Sequence, residues 1–310
     1  MSILQLLSVL IKLSGQQTFE IYVQNEGKPD IIHAHSMFYG GYLATLLGEK
    51  YGIPVVLTEH SSLFITIKTK SSLVEQILQL TDMNLTVGTP LAKALQTYCP
   101  KNPVRVLGNS VDVDYFHPLD ICLPKSPFVF SLVALLDKNK GVDNLLIAFS
   151  KIFKGKTFLL NITGDGEERD KLQRLAIELE IDSQVMFLGM LSRKEVRTLL
   201  QNSHAVISAS YVETFGVNLI EAMACGKPVI ATRSGGPEMF VNQNNGILVP
   251  VGDVDALAEA MQVLVENYAC YDPHKIRAEC VKSFSEQTII NQLEIIYQNI
   301  ILKHAKKTKY

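Results

Sequence analysis

Apolar runs of strand length, separated by stretches of helical pattern, recur along the whole chain. In the first third they read DIIHAH at 30–35, IPVVLTEH at 53–60, MNLTVG at 83–88 and PVRVLGN at 103–109. A second series follows, with FVFSLVAL at 128–135, TFLLNITG at 157–164, VMFLG at 185–189, HAVISAS at 204–210, KPVIAT at 227–232 and GILVP at 246–250. Strands that alternate with helices pair in parallel. A parallel sheet is covered on both faces, so its strands read as continuous apolar runs. Between the two series, 110–127 holds Pro118, Pro124 and Pro127 in a polar setting and marks a domain boundary. The pattern predicts an α/β protein of two Rossmann-like, doubly wound domains over 1–120 and 121–290, followed by a C-terminal helix and basic tail at 291–310. With four strand segments against six, and a helix where such domains usually open with a strand, the first domain reads as incomplete at its start.

The chain ends refine this picture. Residues 1–13 (MSILQLLSVLIKL) lack a basic leader region and a small-residue cleavage site, and Lys12 interrupts a run shorter than the ~20 residues of a membrane span. They predict a buried helix, with Ile3, Leu4, Leu6, Leu7, Val9, Leu10 and Ile11 partly sealing a sheet face that the incomplete opening leaves bare. At the other end Lys303, His304, Lys306, Lys307 and Lys309 follow an apolar stretch. They read as a solvated tail, with peripheral contact to an anionic membrane as the alternative.

Composition narrows the function classes. With 310 residues the chain has room for two cores, and 29 Lys+Arg against 31 Asp+Glu, with 47% hydrophobic residues, argue against disorder and against a nucleic-acid partner. The five cysteines, at 99, 122, 225, 270 and 280, form no CxxC pair and no Cys/His ligand spacing. A disulfide framework and a structural zinc are thereby disfavoured, a reducing, cytoplasmic compartment is favoured, and neither a metal nor another cofactor is expected.

The chemistry is concentrated in 204–238. A strand ends near Ser210, a loop carries Glu213 and Thr214, and a helix runs from about Gly216 to Cys225, where Gly226 supplies a stop. The amides of Gly216, Val217 and Asn218 and the positive end of the helix dipole suit a diphosphate. Glu213 and Glu221 are spaced for two separate contacts. As carboxylates they accept hydrogen bonds from sugar and ribose hydroxyls, although a glutamate taken alone is more often a loop charge or a capping aid. His33 and His35 lie on a strand and read as strand residues, whereas His60 ends one.

Glu213, seven residues, then Glu221, inside ETFGVNLIEAMACGKPVIAT, resembles the signature of the retaining glycosyltransferases of family 4 (group 1), which have the GT-B architecture. The resemblance continues through DIIHAHS at 30–36, GIPVVLTEH at 52–60, GNSVDVDYFHP at 108–118, LLDKNKGVDNLLIAF at 135–149, TGDGEE at 163–168 and SGGPE at 234–238. It implies transfer of a hexose, with retention, from a nucleoside-diphosphate sugar to a hydroxyl of a glycan or lipid-linked acceptor, in a cleft between the two domains. It also implies roles for residues. His60 faces the reacting sugar, Lys140 neutralises the diphosphate, and Glu213 holds hexose hydroxyls. Glu221 holds the ribose, Gly164, Asp165 and Gly166 form a tight turn near the nucleotide, and Thr214, Phe215, Gly216, Val217 and Asn218 complete the donor site. His60, Lys140 and Glu213 are the catalytic candidates.

Two departures stand out. Five residues before Lys140 the family pattern has an arginine where this chain has Leu135, leaving Lys138 or Arg105 as other sources of charge. The family's opening strand and glycine-rich loop have no counterpart here, so catalysis is expected to suffer more than donor binding. The rival readings are a non-catalytic donor-binding remnant and a nucleotide-sugar epimerase.

Overall fold

The computed structural model describes residues 3–66, 71–119, 123–124 and 126–307, with side-chain surroundings described from Ser14 to Lys306 within those limits. The expected sealing role of residues 3–11, like Cys122 and Lys309, lies outside the described side chains. The chain divides into two units, Met1–Gly108 with Ile290–Tyr310, and Asn109–Ile289.

The first unit begins with α1 (Ile3–Glu26), β1 (Ile32–His35), a π-helical turn over Ser36–Gly41 and α2 (Tyr42–Tyr51). It continues with β2 (Val55–Glu59), α3 (Leu63–Thr66), α4 (Ser72–Leu80), β3 (Met83–Thr86), α5 (Thr89–Gln96) and β4 (Val104–Val106). The second unit holds β5 (Phe128–Val133), a 3₁₀ turn over Lys138–Lys140, α6 (Val142–Phe153), β6 (Phe158–Thr163), α7 (Arg169–Glu178) and β7 (Val185–Gly189). It goes on through α8 (Arg193–Gln201), β8 (Ala205–Ser208), α9 (Val217–Ala224), β9 (Val229–Thr232) and β10 (Gly246–Val249). The chain finishes with α10 (Val254–Glu266), α11 (Pro273–Phe284) and α12 (Glu286–Lys307). All ten apolar segments read from the sequence become strands, nine of them trimmed at one or both ends.

In the first unit the strands are parallel in the order β1-β2-β3-β4. Because neighbouring strand residues point to opposite faces, Leu57 and Val56 serve different layers. Leu57 lies beside Gly41 and Ile77 of the connecting helices. Val56 and Leu85 pack instead against Leu293, Ile296, Tyr297 and Ile300 of α12. The C-terminal helix therefore covers one face of this sheet, and it is one continuous helix from Glu286 rather than a separate element from 291.

In the second unit six parallel strands are ordered β10-β9-β8-β5-β6-β7. The winding direction reverses between β5 and β8, and at such a switch point the loops leaving the two strands part and open a crevice. Phe130, Leu132, Leu145, Phe149, Leu160, Ile207, Ile230 and Met261 are fully buried in its core. Side-chain caps fix the starts of some of its helices. Ser192 and Glu195 form a reciprocal capping box on α8, and Asp253 caps α10.

The division falls at Gly108/Asn109 rather than at 120/121. The reason is Arg277 on α11, whose guanidinium donates to Phe116 O at 2.8 Å, Val113 O at 2.9 Å and Ala224 O at 2.7 Å. Val111 also bridges to Ser285. These bonds tie the stretch after β4 to the second unit's last helices, which a proline count cannot reveal.

Candidate active site

The chain leaving β5 runs through Leu135 into the Lys138–Lys140 turn, which the Asp137 carboxylate caps by accepting from the Lys140 N–H. Asn139 fastens this turn to the loop after β8. Its side chain donates to Val212 O at 2.8 Å and accepts from Val212 N–H at 3.0 Å, and its carbonyl accepts from Tyr211 N–H at 2.7 Å. Lys140 Nζ is thereby brought to 2.8 Å from Glu213 Oε2. Glu213 is fixed in turn by the SGGPE segment: its N–H donates to Ser234 O at 3.0 Å, and Gly236 N–H donates to its carbonyl at 2.8 Å. Lys140, Glu213, Leu135 and Asn218 line a cavity of about 350 Å³ together with the ends of β5 and β8. Leu135 is 59% exposed at this cavity, so an apolar side chain stands where the family resemblance has a cation.

The Gly164–Gly166 turn lies against the exit of β5. Gly164 adopts φ 125°, and a Cβ there would fall 1.7 Å from Ala134 O, so only glycine lets the two loops meet. Asp165 serves its own turn: Oδ1 accepts from Gly166 N–H at 2.8 Å, Oδ2 pairs with Arg169 at 3.3 Å, and its carbonyl accepts from Leu136 N–H at 2.9 Å.

Helix α9 starts at the same crevice. Gly216 precedes it with φ 103°, and the first-turn amides, which a helix cannot pair internally, include those of Val217 and Asn218. The Asn218 side chain donates to Val133 O at 3.0 Å, tying the helix start to the end of β5. Thr214 is half-buried, Val217 is exposed, and the Phe215 ring is buried against Phe240 and Phe284, which leaves Phe215 only its backbone to offer a ligand. Glu221 lies in the second turn of α9. Burial pushes its carboxyl up to about 7, against the opposing pull of Arg193. Arg193 is held over the Tyr115 and Phe116 rings and pairs with Asp112 at 3.1 Å.

His60 belongs to the first unit, and so does Arg105 on β4, whereas Lys138 shares the turn of Lys140 in the second. His60 follows β2, and its Nε2 is 2.9 Å from His35 Nδ1 on β1. Burial, reinforced by His35, depresses the His60 imidazole below its usual range. His33 is structural: its ring nitrogens meet the hydroxyls of Tyr297 and Thr58, and burial pushes it down to about 4. His204, which carries no signal in the sequence, accepts from Val129 N–H at 3.0 Å and contacts Pro124 O at 2.9 Å.

Asn139 and Arg193 are the contributors that sequence reasoning missed. Asn139 sits in DKNKG, where an asparagine between lysines before glycine signals a turn. Nothing local marks Arg193, because its partners at 112, 115 and 116 are distant in the chain. Among the described residues no group of three or more His, Cys, Asp or Glu side chains is arranged to hold a metal ion, and no helix is long and apolar enough to cross a membrane.

Comparison with known proteins gives this geometry a family. The family model for glycosyl transferases group 1 matches residues 121–283, and that for glycosyltransferase family 4 matches residues 9–115. N-acetyl-alpha-D-glucosaminyl L-malate synthase of Bacillus anthracis is 28% identical over 288 residues, which span 88% of this chain and 75% of that protein. Among solved structures, sucrose-phosphate synthase from Thermosynechococcus elongatus superposes with a TM-score of 0.79 at 23% identity, over 93% of this chain and 77% of that one. HepE of Anabaena, solved with UDP, superposes with a TM-score of 0.77 at 20% identity, over 90% and 81%. The chain belongs to the group 1 glycosyltransferases, and its fold is the GT-B fold.

Proposed function

We propose that this glycosyltransferase moves a hexose, with retained anomeric configuration, from a nucleoside-diphosphate sugar to a hydroxyl of a glycan or lipid-linked acceptor in the cytoplasm. The observation that carries the donor half is the Lys140–Glu213 pair, held at the switch-point cavity beside the first turn of α9. A cation and an array of amides beside a sugar-binding carboxylate are the complement of a glycosyl diphosphate. HepE, crystallised with UDP and with UDP-glucose, supports the same ligand class.

In this mechanism Lys140 and the amides of Gly216, Val217 and Asn218 take up the charge that develops on the leaving diphosphate, so no metal ion is required. Glu213 orients the hexose through its hydroxyls, Glu221 accepts from the ribose, the Gly164–Gly166 turn borders the nucleotide, and His60 addresses the reacting sugar. Both carboxylates are engaged in binding, so no covalent glycosyl-enzyme is invoked, in contrast to the nucleophile scheme of retaining glycosidases. Incubation of the purified chain with a panel of nucleotide sugars and candidate acceptors tests the assignment. Released nucleotide with transferred sugar supports it, an epimerised donor points to the epimerase reading, and binding without turnover points to a donor-binding protein.

A further inference from the structure

Glu59 is the last residue of β2, is 1% exposed, and belongs to no ion pair among the described residues. Its carboxylate instead gathers three backbone amides. Oε1 accepts from His60 N–H and from Ser61 N–H, each at 2.8 Å, and Oε2 accepts from Met37 N–H at 2.7 Å. The first two amides belong to the loop after β2 and the third to the turn after β1, so a single buried side chain ties the loop that carries His60 to the turn that follows His35.

The loop after β1 needs such a tie. Ser36 adopts φ 67°, a left-handed conformation that a non-glycine residue holds only when its surroundings impose it, and it opens a π-helical turn. Such single-turn insertions are frequent at functional sites. The Met37 amide that meets Glu59 immediately follows the strained residue. His35 and Thr58 are register partners on adjacent strands, which sets the Cα of His35 beside β2 and lets its Nδ1 reach His60 Nε2 at 2.9 Å, with the rings stacked at 26°.

We propose that Glu59 and His35 are positioning residues that together fix the orientation and tautomer of His60. Glu59 sets the backbone from which the imidazole projects, and His35 occupies its Nε2. One of the two facing nitrogens carries the shared proton. When His35 donates, His60 bears its own proton on Nδ1; when His60 donates, its Nδ1 is a bare acceptor. The nitrogen left for a sugar hydroxyl thus has its state set by His35. The proposal rests on the assignment of His60 to the reacting sugar made above.

Nitrogen-15 imidazole spectra of the full chain, paired with steady-state turnover of UDP-glucose, test it. His35 is exposed, so His35→Ala should fold normally. It should convert a single dominant His60 tautomer into a mixture, and lower kcat by about tenfold or more with KM for UDP-glucose little changed. His35→Asn, which keeps an amide near the former Nδ1, should restore much of both readouts, a rescue that a merely structural role does not produce. Glu59→Gln keeps the shape but turns an acceptor into a donor facing an N–H, and should shift the His60 resonances. Should that chain fail to fold, Glu59→Asp provides the same readout. An unchanged His60 tautomer and unchanged kcat in His35→Ala overturn the proposal, as do unchanged His60 resonances in a folded Glu59 variant. If His60→Ala turns over UDP-glucose at the wild-type rate, the role assigned to His60 fails, whereas the tautomer spectra separately decide whether Glu59 and His35 hold the ring.

Discussion

Lys140 Nζ and Glu213 Oε2 are 2.8 Å apart, joining residues 73 positions apart in the chain at the point where the sheet reverses its winding. Without a ligand the lysine is already neutralised by the carboxylate. In the donor site proposed above, a diphosphate arriving at Lys140 competes with Glu213 for the ammonium, and a carboxylate so displaced is free to accept from sugar hydroxyls. Partner exchange of this kind would couple recognition of the phosphates to recognition of the hexose.

The exchange gives opposite expectations for the two partners. Lys140→Ala should weaken UDP binding by roughly 1.5–3 kcal/mol, the range for a hydrogen bond to a charged group. Glu213→Gln removes the competing carboxylate, so affinity for UDP should hold or rise while turnover of UDP-glucose falls. Calorimetric titration of both variants with UDP checks this, and equal losses in the two would contradict the exchange. The pair is partly solvated, so breaking it should cost about 1 kcal/mol of stability or less and leave both variants folded.

Glu221 sets a pH dependence. Its carboxyl is pushed up to about 7 by burial, and in the role proposed for it ribose hydroxyls donate to the ionised form. Nucleotide affinity should therefore fall below about pH 7, by up to about tenfold per pH unit, with a proton released on binding. Glu221→Gln should flatten this profile. In the unliganded chain the sign reverses: a group raised above its ordinary 4.5 contributes stability that is fully present below that value and is lost as pH rises through about 7. Titrations in buffers of different ionisation enthalpy, alongside thermal melts across the same range, report both effects.

Leu135 presents an exposed apolar side chain at the cavity that holds Lys140. Leu135→Arg adds a second cation there with little burial cost, and should tighten UDP binding by about tenfold, or 1.4 kcal/mol. A matched Leu135→Gln, which adds polarity without charge, should not. If both variants bind UDP as the wild type does, Leu135 does not border the diphosphate.

His33 and Tyr297 make the first unit acid-sensitive. Burial holds the His33 imidazole at about 4 rather than 6.5, so its contribution to stability is present above about 6.5 and is lost as pH falls through 4. Tyr297→Phe removes the hydroxyl that His33 meets beneath α12 and should cost about 1 kcal/mol. Chemical denaturation followed at neutral and acidic pH should show a loss of stability on acidification in the wild type that is smaller in His33→Gln.

The sequence by itself determined the class of the protein. Ten largely apolar runs announce parallel strands because a sheet covered on both faces favours apolar residues on both, and the glycines at 164 and 216 stand where a turn closes on a neighbouring strand and where a helix begins. The Glu213 to Glu221 spacing, set in its surrounding motif, was enough to point to the family. Tertiary structure alone decided the rest, because those facts depend on which distant residues become neighbours. The pairing of Lys140 with Glu213 follows from the order of β5 and β8 and from the Asn139 clamp, neither of which any local pattern encodes. Arg277 draws the stretch after β4 into the second unit, and α12 returns its apolar side to Val56 and Leu85 of the first. In the sequence Glu59 is a charge at the end of an apolar strand; only the fold sets the amides of residues 37, 60 and 61 around it, and those hydrogen bonds offset the cost of burying its carboxylate.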